Sequence, residues 1–171
     1  MRFVLIDRLT RLVPGDRAEA VATFARHADV FDDHFPGLPL VPGVLLTEAM
    51  AQTGGWLLAV TSGFTKWPVL AMVGDAKFRQ LVRPSEEVRT EVRVRSTRGD
   101  DVELAARAMV GERRVANARL VFHLFDLPPG DAERRQFARW SQATFAELGG
   151  PRLLTNGLTG NRVDAPPGDP R

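Results

Sequence analysis

The sequence of 171 residues contains no cysteine and no tyrosine. Because it has no cysteine, the protein cannot form disulfide bonds, use a thiolate nucleophile or bind a metal through sulfur. Its three histidines, His27, His34 and His123, are too scattered along the chain for the spacing of a metal-binding cluster. We therefore expect no metal site, and the lack of cysteine fits a cytoplasmic protein.

Long apolar runs and a strong excess of one charge are also missing. No run approaches the roughly 20 residues that cross a bilayer, and the charge of Asp7 comes too early for a signal peptide. The formal net charge is only +2, without the concentrated basic patch of a nucleic-acid-binding protein. The length predicts one globular cytoplasmic domain with a sizeable core, and we expect no contact with membrane or nucleic acid.

A long apolar helix over residues 42–62 is the most prominent element that the sequence predicts. The run is apolar on nearly every side, which is typical of a helix inside a core. Glu48 and Gln52 are the exceptions, and they lie one helical turn apart. At about 100° per residue they share one small, polar face with Gly55 and Ala59.

The loop ahead of this helix carries a histidine at its far end. Three prolines between His34 and Gly43 each fix their own φ, so the loop is stiff. Taken singly, a histidine near a proline turn is more often structural, and a buried glutamate such as Glu48 is often paired with an arginine. Together, a base, an acid and the free N–H groups of a helix N-terminus are what proton abstraction alpha to a thioester carbonyl requires.

The rest of the chain predicts an antiparallel sheet. Residues 3–12 and 18–24 read as strands before the helix, and charged-out, apolar-in alternation marks further strands at 87–95, 102–110 and 115–125. The continuous apolar run of residues 69–74, extended by residues 76–81, is typical of a buried strand. One long buried helix beside these strands predicts an α+β fold with the sheet wrapped around the helix.

The C-terminal part divides into two further segments. Residues 128–149 predict an amphipathic helix, with Asp131 as its N-cap and Phe137, Trp140 and Leu148 near helical spacing. Residues 150–171, rich in glycine and proline, predict a flexible tail. We therefore expect residues 1–127 to form the main domain.

One ungapped motif runs from His34-Phe35-Pro36-Gly37 through Pro42-Gly43-Val44-Leu45 to Glu48-Ala49-Met50-Ala51-Gln52. This motif resembles the signature of the 3-hydroxyacyl-(acyl-carrier-protein) dehydratases of fatty-acid synthesis. Weaker matches follow at Lys77-Phe78-Arg79 and Val82-Arg83-Pro84, so that the likeness covers roughly residues 3–122. It implies the hotdog fold, a homodimer or higher homo-oligomer with shared sites, an acyl carrier protein as partner, and no cofactor.

The resemblance also implies roles for individual residues. His34 would remove the alpha proton of the substrate, and Glu48, supplied by the neighbouring subunit, would protonate the departing hydroxyl. The N–H group of Gly43 would polarise the thioester carbonyl. The other expected substrate-binding residues are Leu40 or Val41, whose carbonyl would orient His34, Gln52, which would hold Glu48, and the apolar anchor Phe35.

Two other readings remain open. Thioester hydrolysis or double-bond isomerisation would use the same fold, although hotdog thioesterases usually lack the pairing of His34 with Glu48. A non-catalytic subunit that binds acyl chains or a partner enzyme is favoured by Asp33, which stands where the family usually has glycine, and by the unmatched C-terminal region. For carrier-protein docking the eligible basic residues are Lys77, Arg79, Arg83, Arg134 and Arg135.

Overall fold

The computed structural model describes residues 3–25, 37–127 and 131–158. His34 and Phe35, with Asp33 and His27, lie outside the described residues. The elements in chain order are β1 (Arg8–Val13), β2 (Arg17–Ala22), α1 (Gly43–Thr61), β3 (Lys66–Phe78), β4 (Val88–Arg98), β5 (Asp101–Val110), β6 (Arg113–Asp126), α2 (Asp131–Glu147) and α3 (Gly150–Leu158).

The six strands form one antiparallel sheet in the order β1-β2-β4-β5-β6-β3, and α1 packs against its inner face. Leu46, Met50 and Leu57 on the helix are almost completely buried, as are Leu104 and Leu120 on the sheet. Such burial is the main force that holds helix and sheet together. This is the α+β hotdog arrangement with one central helix that the sequence predicted.

A polar contact fixes the position of α1 inside this apolar layer. The hydroxyl groups of Thr53 on α1 and Thr90 on β4 lie 2.7 Å apart, and both residues are fully buried. The hydroxyl of Thr53 also donates to the carbonyl of Ala49 at 2.8 Å, so neither side chain is left without a partner. Because hydrogen bonds are directional, this pair sets the helix register against the sheet more closely than apolar contacts could.

Strand β3 differs from the buried strand that its apolar run predicted. It occupies one edge of the sheet and pairs with β6 alone. Trp67, Met72 and Phe78 on this strand are each about half exposed, at 47%, 46% and 51%. The prediction was wrong because periodicity alone cannot distinguish a strand covered by its own chain from an apolar edge that awaits another surface.

The C-terminal region also differs from the predicted tail. The chain turns at Gly149, where φ is +76°, and continues as the short helix α3. Leu153 and Leu154 of α3 pack against the core, and the carbonyl of Leu148 accepts a hydrogen bond from the N–H of Leu9 at 2.9 Å. These contacts tie the region to the first strand, which its glycine-rich and proline-rich composition did not indicate.

Candidate active site

Glu48 is half-buried on α1 and is held in place by Gln52. The amide nitrogen Nε2 of Gln52 donates to Glu48 Oε1 at 3.0 Å and to the carbonyl of Phe3 at 3.3 Å. The amide oxygen of Gln52 accepts a hydrogen bond from the N–H of Leu5 at 2.8 Å. Gln52 therefore connects the carboxyl group to the N-terminal segment and fixes its direction.

A cavity of about 250 Å³ opens next to this carboxyl group. The wall on α1 is the face that the helical spacing predicted, with Gln52, Gly55 and Ala59 beyond Glu48. Among the described residues that line the cavity, Glu48 alone is ionisable. The remaining lining residues come from the N-terminal segment, α1, β3 and α2, and they are Phe3, Val4, Trp56, Trp67, Pro68, Phe137, Trp140 and Ser141.

The start of α1 is built from the end of the predicted loop. Leu40 and Val41 are buried, and the N–H of Val41 donates to the carbonyl of Val82 at 2.8 Å, which anchors this part of the chain to the loop after β3. At Gly43 a Cβ atom would lie 2.9 Å from the ring of Phe78, so only glycine fits without displacing the ring. The first N–H groups of the helix have no partner within the helix and carry its positive end.

Two of the expected functional groups, the N–H of Gly43 and the carboxyl group of Glu48, lie on α1. Gly43 begins α1 and Glu48 follows five residues later, which corresponds to about 7.5 Å along the axis and about 140° around it. The structure thus brings Glu48 and Gln52 together on one face of α1, whereas Gly43 lies at the start of the same helix on a different face. The predicted base His34 and anchor Phe35 are outside the described residues, so the geometry of their approach remains a prediction.

Three aromatic residues of the cavity, Trp56, Phe137 and Trp140, were not assigned to the site by sequence reasoning. Trp56 belongs to both the core and the cavity, since it is 9% exposed and still borders the cavity. Phe137 and Trp140 on α2 were placed on an amphipathic helix without a role, although they lie three residues apart and therefore on one face. That spacing was the available signal, but it does not indicate which surface the face covers.

The basic residues fall into two groups. Lys77, Arg79 and Arg83 are exposed near the end of β3, where Phe78 contacts the start of α1. A cleft of about 600 Å³ on the sheet shares Arg79 with the first group and contains seven arginines and two glutamates, namely Arg11, Arg17, Arg79, Arg93, Arg95, Arg107, Arg114, Glu19 and Glu91. Some of these charges neutralise one another, as in the contact of Arg107 with Glu91.

His123 lies on β6 and has a partner on the neighbouring strand. Its Nδ1 atom lies 2.6 Å from Asp101 Oδ1 on the neighbouring strand. Within the described ranges, no group of three potential ligands lies close enough to hold a metal ion. The same part of the chain contains no helix long and apolar enough to cross a membrane.

Comparison with known proteins identifies the relatives of this chain. The FabA-like domain family matches residues 1–119. A 3-hydroxyacyl-(acyl-carrier-protein) dehydratase FabZ of Symbiobacterium thermophilum is 40% identical over 125 residues, which cover 72% of this chain and 88% of the relative. The protein of the same name from Desulforamulus reducens is 37% identical, over 70% of this chain and 85% of the relative.

Solved structures support the same fold at lower identity. A conserved protein of Pseudomonas aeruginosa superimposes with a TM-score of 0.57 at 21% identity, over 69% of this chain and 87% of its own. A dehydratase heterocomplex from Xenorhabdus doucetiae gives a TM-score of 0.56 at 14% identity, over 79% and 89% of the two chains. The chain therefore belongs to the FabA-like domain family and, within it, to the 3-hydroxyacyl-(acyl-carrier-protein) dehydratases.

Proposed function

We propose that this chain dehydrates a carrier-protein-bound 3-hydroxyacyl thioester to the trans-2-enoyl thioester, with His34 as the base and Glu48 as the acid. The observation that carries the proposal is a single carboxyl group, fixed by Gln52, at the side of an otherwise apolar cavity. A polar reacting centre beside an apolar pocket suits a substrate with a thioester at one end and a hydrocarbon chain at the other.

The reaction needs one proton removed and one donated. His34 takes the proton from the carbon alpha to the thioester, and the electrons of that C–H bond form the new double bond. The C–O bond to the hydroxyl breaks as Glu48 gives its proton, and the product is water. The protonated His34 and the ionised Glu48 then exchange a proton, which returns both groups to their starting states.

The start of α1 and the loop before it complete the site in this proposal. The N–H group of Gly43 stabilises the negative charge that develops on the thioester oxygen, in the manner of an oxyanion hole. The carbonyl of Leu40 or Val41 holds the ring of His34, and Phe35 contributes an apolar anchor. The burial of Leu40 and Val41 supports this part, because a rigid backbone is needed to orient a base.

A homodimer is the assembly that we propose, with Glu48 of one subunit facing His34 of the other. Support comes from β3, whose exposed side chains include Trp67, Met72 and Phe78 at an edge that is unpaired within the described chain. Pairing two such edges would satisfy their backbone groups and cover the apolar side chains. A higher homo-oligomer and a cytoplasmic location, both raised by the sequence, belong to the same proposal.

Docking of an acidic carrier protein is assigned to the basic residues near the end of β3, Lys77, Arg79 and Arg83. They are exposed and follow or flank Phe78, which contacts the first residue of α1. A carrier protein bound there would deliver its thioester to the helix N-terminus. Arg134 and Arg135 on α2 are the alternative docking residues.

The test is direct turnover of purified protein with 3-hydroxyacyl carrier proteins, with loss of one water followed by mass spectrometry. We expect His34→Ala and Glu48→Gln each to lower kcat/KM by at least about 100-fold, the lower range for removing a general acid or base. Glu87→Gln is the matched control, since this exposed carboxyl group pairs only loosely with Arg8 at 3.4 Å.

Four results would overturn the proposal. Turnover that survives both substitutions would exclude the assigned residues. A wild-type protein that binds the carrier proteins without turning over any of them would favour the non-catalytic acyl-binding subunit instead. A free acid product would indicate thioester hydrolysis, and a shifted double bond would indicate isomerisation.

A further inference from the structure

Helix α2 lies outside the segment that matches the FabA-like domain, which ends at residue 119. It nevertheless lies against the cavity beside Glu48. The ring of Trp140 stacks on Trp56 of α1 with centroids 6.1 Å apart and planes 29° apart. The ring of Phe137 stacks on Trp67 of β3 at 4.9 Å and 28°.

The position of α2 is fixed by buried residues on the same side of the helix. Phe145 is 4% exposed and contacts Trp56 and Phe64, with centroid distances of 6.2 and 5.6 Å. Ser141, which also lines the cavity, is 1% exposed. The helix is therefore packed in place rather than attached by Trp140 alone.

The aromatic rings hold α2 away from α1, and the space between the two helices is part of the cavity. Along α1 the lining runs from Glu48 to Ala59, or about 16 Å at 1.5 Å per residue. A Cβ atom added at Gly55 would meet nothing within 4 Å, so small side chains on α1 leave this space open. Trp140 stacks on Trp56, which lies eight residues, or about 12 Å, along α1 from Glu48. Phe137 lies beside Trp140, so both rings border the part of the cavity that is distant from the carboxyl group.

We propose that Phe137 and Trp140 form the far wall of the acyl pocket and limit the length of the hydrocarbon chain that the enzyme accepts. The inference rests on the proposed function, because it takes Glu48 as the reacting end. The acyl chain is the occupant that fits, since the lining apart from Glu48, Gln52 and Ser141 is apolar and is continuous with the carboxyl group of Glu48. Large, stacked rings suit a wall because they cannot move aside without losing their contacts.

The experiment compares kcat/KM across a series of 3-hydroxyacyl carrier proteins that differ in acyl length. In Trp140→Ala we expect the longest accepted chain to increase, with a gain of about tenfold or more for the first chain that the wild type rejects, because one methylene in an apolar pocket is worth roughly that factor. Shorter chains should react as before. Trp140→Phe should restore most of the wild-type limit.

Gln142→Ala is the matched control, because Gln142 is exposed on the same helix and does not line the cavity. It should leave the length profile unchanged. Light scattering on each variant separates the proposal from the alternative occupant, a second copy of the chain. A change of oligomeric state without a change in the length profile would overturn the proposal.

A length profile that is identical in wild type and a folded Trp140→Ala variant would also refute the assigned wall. Failure of the proposed function is recognised separately, as a wild-type protein without turnover on any chain length. In that case the Kd of each acyl carrier protein is measured by calorimetry. If Phe137 and Trp140 form the wall, the acyl length that binds most tightly must be longer in Trp140→Ala than in the wild type. An unchanged optimum would refute it there too.

Discussion

Replacing Gln52 with leucine tests how the carboxyl group of Glu48 is held. The substitution keeps a side chain of similar size but removes all three hydrogen bonds of the amide. Two of these bonds, to Glu48 and to the carbonyl of Phe3, are partly exposed to solvent. The third comes from the N–H of Leu5, a residue that is 1% exposed.

The hydrogen bond from the N–H of Leu5 determines how much Gln52→Leu lowers the free energy of unfolding. The two partly exposed bonds contribute about 0.5 kcal/mol each, the low end for a net hydrogen bond. Partial burial of the new leucine side chain stabilises the fold by about 1 kcal/mol. This gain roughly cancels the loss of the two partly exposed hydrogen bonds. What remains is a buried N–H without an acceptor, which costs about 1–3 kcal/mol. For a chain of this size that corresponds to a fall in Tm of about 2–12 °C.

The assay is denaturant unfolding followed by tryptophan fluorescence, together with hydrogen exchange at the Leu5 amide. Gln52→Glu is the matched control, because its carboxyl oxygen can still accept from Leu5. Gln52→Glu also loses the two bonds that the amide donates, about 0.5 kcal/mol each, and an ionised Glu48 one helical turn away adds about 0.5 kcal/mol, so its cost overlaps that of Gln52→Leu. Hydrogen exchange at Leu5 separates the two variants, because only Gln52→Leu removes the acceptor of this N–H group. Unchanged exchange at Leu5 in Gln52→Leu, or equally faster exchange in both variants, would refute the reasoning.

Two further predictions concern the sheet. Thr53→Val and Thr90→Val each remove the same buried hydrogen bond, so the double variant should cost about 0.5–1.5 kcal/mol less than the sum of the singles, and additive unfolding energies would exclude a shared bond. Lys66 lies 2.8 Å from Asp126 and, through this hydrogen bond, holds the pKa of that carboxyl below its usual value. In Lys66→Gln the pKa of Asp126 should rise, as measured by NMR titration. The stabilisation from this depressed pKa is present above the unfolded-state pKa and lost as the pH falls through the folded-state value, and an unchanged titration would contradict the contact.

Much of the fold could be predicted because its signals are local. The central helix follows from an apolar run that begins after Pro42, and the structure has it at Gly43–Thr61. Strands β4, β5 and β6 follow from strict alternation, and the dehydratase family follows from a long motif that the relatives confirm. In each case the information lies within a few turns or a few residue pairs.

The exposed edge β3 and the helix α3 could not be predicted for the opposite reason. Whether the apolar side chains of β3 are covered depends on which strand lies beside it, and that is a property of the whole topology. Leu153 and Leu154 in the C-terminal segment lie among helix-breaking residues. They can pack against the core only because the first strand provides a surface for them. The amino-acid composition therefore indicates neither the exposure of β3 nor the packing of α3.

The candidate site shows the same division. The shared face of Glu48, Gln52, Gly55 and Ala59 follows from helical geometry alone, and these residues do line one cavity. Its opposite wall comes from α2, more than seventy residues later in the chain. A periodic pattern describes the face of one helix, but a cavity needs two faces, and their meeting is decided by packing.

The contact between Phe78 and Gly43 joins the edge strand to the start of the central helix. A Cβ at Gly43 would lie 2.9 Å from the ring of Phe78, so the strand approaches the helix as closely as glycine permits. Phe78 is also 51% exposed on the edge proposed for dimerisation. A partner strand that covers this ring would therefore restrict it against the first residue of α1. Pairing of the two edges would thus position the helix N-terminus that we propose to polarise the substrate, and in that proposal assembly and catalysis would depend on the same side chain.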